Sequence, residues 1–254
     1  MIFFKRTAIT ILYLSLCALT ACSSAPTVSK VPVDSGERCY AESDKNRNVR
    51  LDLIRQQVAE GQYFSAIAHL EREDFQSDGA RFLLAESLRK SGQLDAALTE
   101  YNTLKRGCLN ALGYLGAGKV LAVTGNLEQG LAELKTARDL LPTDANIRND
   151  YGFALLASGS FDTARHEFMT AVELQPGHPV AIRNLVLALI LSSDTQTAWS
   201  VAEHHHISVD DFQNLVVKAA QFRRNLSQNR ASRVAKVPAA NTEPTVLIRL
   251  GETL

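Results

Sequence analysis

Apolar residues recur at three- and four-residue spacing through most of the chain, most clearly from Ala145 to Pro176. There Tyr151, Ala154, Leu155 and Ser158 fall on one helical face, and Phe161, Ala164, Phe168 and Ala171 on a second. Gly159 separates the two stripes, because glycine takes the left-handed conformation without steric cost and so ends a helix there. Gly152 and Ala164 are small where two helices would cross closely, and Pro176 closes the unit. The pattern predicts two amphipathic helices packed back to back.

The unit recurs. Pro142 precedes Pro176 by 34 residues, and Gly118 precedes Gly152 by 34. The break between helices appears at Gly61, Gly92, Gly125 and Gly159 and, more weakly, at Ser193, with spacings of 31, 33, 34 and 34. An unrelated helical bundle has no reason to repeat at one period. Tyr151-Gly152, Ala164, Phe168, Ala171 and Pro176 resemble a tetratricopeptide (TPR) repeat, and the expected fold is all-α, a solenoid of about five helix pairs. The pairs are expected at about 47–73, 79–107, 111–140, 145–176 and 179–206. Ser208 then offers an N-cap, with Asp210 and Asp211 in the first turn of a helix reaching about Leu226. Phe212, Leu215, Val216, Ala219 and Phe222 give that helix one apolar face, as suits a cap on the open end of the array. The solenoid with its cap thus spans 45–226. Residues 227–254 read as a polar, basic tail without packed structure, ending in a strand-like segment, Thr245 to Leu250. That segment is able to join a partner's sheet edge, dock on the solenoid or stay loose.

The first 21 residues are a different kind of segment. Lys5 and Arg6 precede an apolar run, Thr7 to Leu19, that is too short to span a bilayer. Leu19-Thr20-Ala21-Cys22 looks like a bacterial lipobox, with Cys22 as the lipidated residue; a plain secretory signal is the alternative. Acyl chains on Cys22 contribute about 0.8 kcal/mol per buried methylene, enough for a durable anchor when several are present. Ser23 follows in place of the aspartate that retains many lipoproteins at the inner membrane, so the expected location is the periplasmic face of the outer membrane. Residues 22–44, interrupted by Pro26 and Pro32, read as a tether of at most roughly 70 Å.

Charge and chemistry narrow the function. The chain carries 27 basic and 27 acidic residues, leaving no basic stripe for nucleic acid. Cys39 and Cys108 are a possible disulfide in an oxidising compartment, or two separate thiols. His204, His205 and His206 are consecutive and point about 100° apart on a helix, so they do not converge on a metal. The glycines of Gly113 to Gly118 lack the strand and lysine of a phosphate loop and suit close helix packing instead. No catalytic set, cofactor or small-molecule substrate is expected.

The first helix of each pair would line the concave side. The third unit then presents Leu112, Leu115 and Lys119, the fourth Asn146, Asn149 and Phe153, and the fifth Arg183, Leu187 and Ile190. This is an apolar trough with amides that hold a peptide backbone without reading its sequence. The alternative is that the cap helix or tail fills part of it, above all at the fifth unit. Arg183 stands largely alone, so a terminal carboxylate is not the favoured ligand.

Lipobox, tether, repeats and polar tail together resemble the TadD lipoproteins of tight-adherence (Flp) pilus assembly, from Met1 to about Leu226. The resemblance implies a non-enzymatic, pilotin-like assembly factor whose partner is a secretin or another pilus component. Type IV pilus pilotins share the layout. A lipoprotein adaptor that scaffolds cell-wall hydrolases or proteases is the other reading.

Overall fold

Each half of the repeat becomes a helix for a reason visible at its start. In this computed structural model, which describes residues 39–235, the first pair is α1 (Lys45–Ala59) and α2 (Tyr63–Arg72). The second is α3 (Asp78–Lys90) with α4 (Leu94–Leu104), and the third α5 (Asn110–Val123) with α6 (Leu127–Leu140). The fourth is α7 (Ala145–Ser158) with α8 (Phe161–Leu174), and the fifth α9 (Pro179–Leu191) with α10 (Thr195–His204). A last helix, α11 (Val209–Ala235), follows. Asp44, Ser77, Asp144 and His178 cap the first helices α1, α3, α7 and α9 by accepting a backbone N–H of the first turn. The second helices α2, α4, α6 and α8 have no such side-chain cap. They follow tight breaks instead. Gly159 has φ 87°, and the next residue's N–H turns back to the Leu155 carbonyl at 2.9 Å. Gly61, Gly92 and Gly125 have the same left-handed backbone. At the fifth break Ser193 takes φ 67°, so the fold repeats where the glycine does not.

Adjacent helices pack antiparallel within a pair, and each first helix also touches the first helix of the next pair. The crossings fall on small residues. Ala66, Ala97, Ala164 and Ala198 hold equivalent places in the second helices and are fully buried. Gly130 takes the same place in α6, and a Cβ on Gly118 of α5 would lie 2.9 Å from its carbonyl oxygen. The backbones of α5 and α6 are therefore in contact. Tyr101, Leu134 and Phe168 fill the next layer and are at most 1% exposed.

Two expected boundaries move. Residues 39–44 fall in the expected tether, but Cys39 is buried and Tyr40 lies against Gly79 of α3. The Glu42 carboxylate accepts the backbone N–H groups of Gln76 and Ser77, while Asn48 and Glu42 exchange hydrogen bonds at 2.6 and 2.7 Å. Cys39 and Cys108 are disulfide-bonded, with Cα atoms 6.0 Å apart. Asp78 accepts the N–H of Cys108 at 2.6 Å, which fixes the turn that carries this cysteine. At the other end α11 continues to Ala235, past Leu226. Leu226 packs against the core, and the backbone of α11 continues in a polar stretch that has no proline or glycine to stop it. The lipobox with Cys22, most of the tether and the tail segment Thr245 to Leu250 lie outside the described residues.

Candidate functional site

The inner face is formed by α3, α5, α7 and α9. The period places Phe82, Leu115, Asn149 and Arg183 in one row, and Glu86, Lys119, Phe153 and Leu187 in the next. These rows do not share one environment. Phe82, Leu112, Leu115 and Phe153 are half-buried, each with one side against the core and the other toward the concave surface. Asn146 is exposed.

Polar side chains cross this face as linked pairs. In α3, Glu86 accepts from Arg89 at 2.8 Å and from the Tyr101 hydroxyl. Burial pushes the Glu86 carboxyl up, but hydrogen bonds from Arg89 and Tyr101 and the charges of Arg89 and Lys119 outweigh it and hold the group below its ordinary range. Burial and the Glu86 charge push the Tyr101 hydroxyl up, so it stays a donor. Between α5 and α7, Lys119 donates to Asp150 at 2.7 Å. Asp150 also receives Asn149, at 3.4 Å, and Asn149 accepts from Asn184 of α9 at 2.9 Å. A continuous polar line thus runs Lys119–Asp150–Asn149–Asn184 across three helices.

The fifth unit corrects the expected groove. Leu187 and Ile190 are 2% and 6% exposed and lie in the core cluster completed by Phe212, Leu215 and Phe222 of α11. Arg183 faces Asp211 of α11 at 3.4 Å. Arg223 donates to the carbonyls of Ile190 and Leu191 at 2.8 and 2.9 Å, closing the C-terminus of α9. The cap occupies this end because a bare array would leave the apolar face of α9 in water. Asn149 is also corrected: it is 7% exposed and committed to Asn184. Asn146 instead meets His178. The ring's Nδ1 accepts the Ala181 N–H at 3.2 Å, so its Nε2–H donates to the Asn146 oxygen at 3.1 Å.

The open part of the face is therefore Phe82, Leu112, Leu115, Lys119 and Phe153, with Asn146 at its edge. Phe82, Glu86 and Asp150 were not singled out in the sequence. Phe82 and Glu86 each precede a singled-out residue, Leu115 and Lys119, by 33 positions, so the same repeat arithmetic finds them. Among the described residues no group of three or more His, Cys, Asp or Glu side chains is placed to hold a metal ion. His204 and His205 contact edge to face, 4.9 Å apart. No described helix is long and apolar enough to cross a membrane.

Stacked helix pairs with an open inner face define a repeat scaffold of the kind that holds other polypeptides. The chain belongs to the TPR repeat-containing proteins. It is 30% identical over 212 residues to a TPR repeat-containing protein of Pseudomonas aeruginosa, covering 83% of this chain and 82% of that one. It is also 30% identical over 156 residues to cellulose synthase 1 operon protein C of Komagataeibacter xylinus, a match of 59% of this chain and 12% of that protein. No family model matches. Among solved structures it is similar to a TPR protein of Thermus thermophilus, with a TM-score of 0.54 at 24% identity over 67% of this chain and 95% of that one. MamA of Desulfovibrio magneticus gives 0.51 at 17% identity, covering 72% and 98%. YrrB, described as a TPR protein with an unusual peptide-binding site, gives 0.50 at 19%, covering 67% and 89%. These structural likenesses establish the fold.

Proposed function

We propose that this protein is a non-enzymatic lipoprotein, anchored through Cys22 at the periplasmic face of the outer membrane, that holds a partner segment on its inner face. The partner is a secretin or another pilus-assembly component, and the role is that of a pilotin-like assembly factor of the Flp type. The observation that carries the binding role is the contrast between the units. The fifth unit is sealed by α11, whereas Phe82, Leu115 and Phe153 remain half-exposed around the Lys119–Asp150 pair. A side chain of an extended peptide fills the space between such rings and leucines, and the fixed charges orient its backbone. The Cys39–Cys108 disulfide suits an oxidising periplasm. The lipobox at Cys22 and the resemblance of the layout to the TadD lipoproteins support the proposed location and machine.

The test is affinity capture of the full-length protein from detergent-extracted membranes, with and without Leu115→Lys. A secretin or pilus component recovered with the native chain and lost with Leu115→Lys supports this reading. Recovery of a cell-wall hydrolase or protease, with no pilus component, replaces it with the adaptor reading. Palmitate labelling addresses the anchor separately: label retained in Cys22→Ser removes Cys22 as the lipid site.

A further inference from the structure

The cap helix α11 buries one stripe and leaves another bare. Phe212, Leu215, Ala219 and Phe222 face the solenoid. On the other side Val209, Val216 and Val217 are 56%, 40% and 55% exposed, beside exposed Gln213 and Ala220. At 100° per residue these five positions fall within an arc of about 100°, the width of a helix face that packs against another helix. A polar outer face would be the ordinary finish for a terminal cap.

The charges around this stripe are arranged by sign. Asp210 and Arg224 each lie seven residues from Val217, so all three share one line along the helix. Both charged residues are exposed, and neither has an ion-pair partner among the described residues. Asp211, by contrast, is engaged by Arg183 and Ser208.

We propose that this face pairs with a second copy of the same chain, the two α11 helices running antiparallel about a two-fold axis beside Val216 and Val217. A two-fold contact uses one patch on both copies, so the patch must complement itself. In the antiparallel register Asp210 of one copy lies opposite Arg224 of the other, and the relation holds twice. In that register Val217 meets its counterpart at the axis with Val216 beside it, and Gln213 and Ala220 come within one residue of level across the interface. A parallel register would set Asp210 against Asp210 and Arg224 against Arg224, which repel. The interface uses none of the open inner-face residues.

Cysteine cross-linking in the full-length protein at its own membrane tests this. Val217 is exposed, so Val217→Cys leaves the fold intact. Under mild oxidation it should give a covalent dimer more than about tenfold faster than Thr163→Cys, an exposed control on α8, because an interface raises the effective concentration of the thiols. Asp210→Arg or Arg224→Asp alone should slow the reaction to the control rate, and the two together should restore it. Equal rates for the Val217 and Thr163 thiols overturn the proposal. So does a product formed only between Val217→Cys and Leu53→Cys chains, which is head-to-tail stacking on the exposed face of α1. Failure of the double exchange to restore cross-linking overturns it as well.

Discussion

Asn184 donates its side-chain N–H to the Asn149 oxygen at 2.9 Å, joining α9 to α7 across 35 residues of sequence. Both side chains are buried, so neither amide has water as a substitute partner. Asn149→Ala is expected to cost roughly 1–3 kcal/mol, because it strands a buried amide that already has one unpaired oxygen. Replacing both residues by leucine should cost less than the sum of the two single changes, since the polar requirement then disappears from both sides. Denaturant unfolding of the two single variants and the double variant measures this; strict additivity would show that the pair is not coupled.

The disulfide closes a loop with a sequence separation of 69. Replacing Cys39 and Cys108 by alanine should lower stability by about 2–4 kcal/mol. In a repeat array the loss should concentrate near the link. Hydrogen exchange is expected to quicken in α1 to α4 and to change little in α9; a uniform increase would mean the array unfolds as one unit.

Glu42 predicts an acid-sensitive N-terminal segment. Burial pushes its carboxyl up, but hydrogen bonds from Ser77 and Gln76 and the Arg47 charge hold it below the ordinary 4.5. A depressed carboxyl contributes stability above its unfolded value and loses it as pH falls through the lower folded value. Wild type should therefore lose stability relative to Glu42→Gln in the acid window below the ordinary 4.5. Melting temperatures across that window test it, and parallel curves for the two proteins would dismiss the role of Glu42.

Two glycines separate backbone conformation from backbone proximity. Gly159→Ala meets open space and suffers only from φ 87°, for an expected loss of about 1 kcal/mol. Gly118→Ala has an ordinary helical backbone but brings its methyl to 2.9 Å from the Gly130 carbonyl oxygen and 2.7 Å from Leu134. Backbone cannot yield as a side-chain tip does, so the expected loss is about 1–3 kcal/mol, with α5 and α6 pushed apart. Thermal melts rank the two; a larger loss at Gly159 would reverse this assignment.

The repeat itself was legible in the chain because it is local physics copied five times. Gly61, Gly92, Gly125 and Gly159 mark four breaks, and the small residue five positions after each, Ala66, Ala97, Gly130 and Ala164, marks the crossing. The cap helix was legible through the spacing of Phe212, Leu215, Ala219 and Phe222, but Val216, expected on the same face, is 40% exposed because it lies at the edge of the arc that meets the solenoid. What periodicity cannot express is occlusion. Leu187 occupies the inner-face position that Phe153 holds one unit earlier, yet Phe153 stays half-buried while Leu187 lies in the core cluster that α11 completes. Asn149 has the spacing of a groove amide, and only the approach of α9 turns it into a buried partner of Asn184. The stop of the tether at Cys39 depends on α3 and on Cys108, both distant in sequence. Local spacing determined which helices form and which face each turns inward. Which parts of that inner face stay open was decided by long-range packing, because exposure belongs to neighbouring helices as much as to the residue itself.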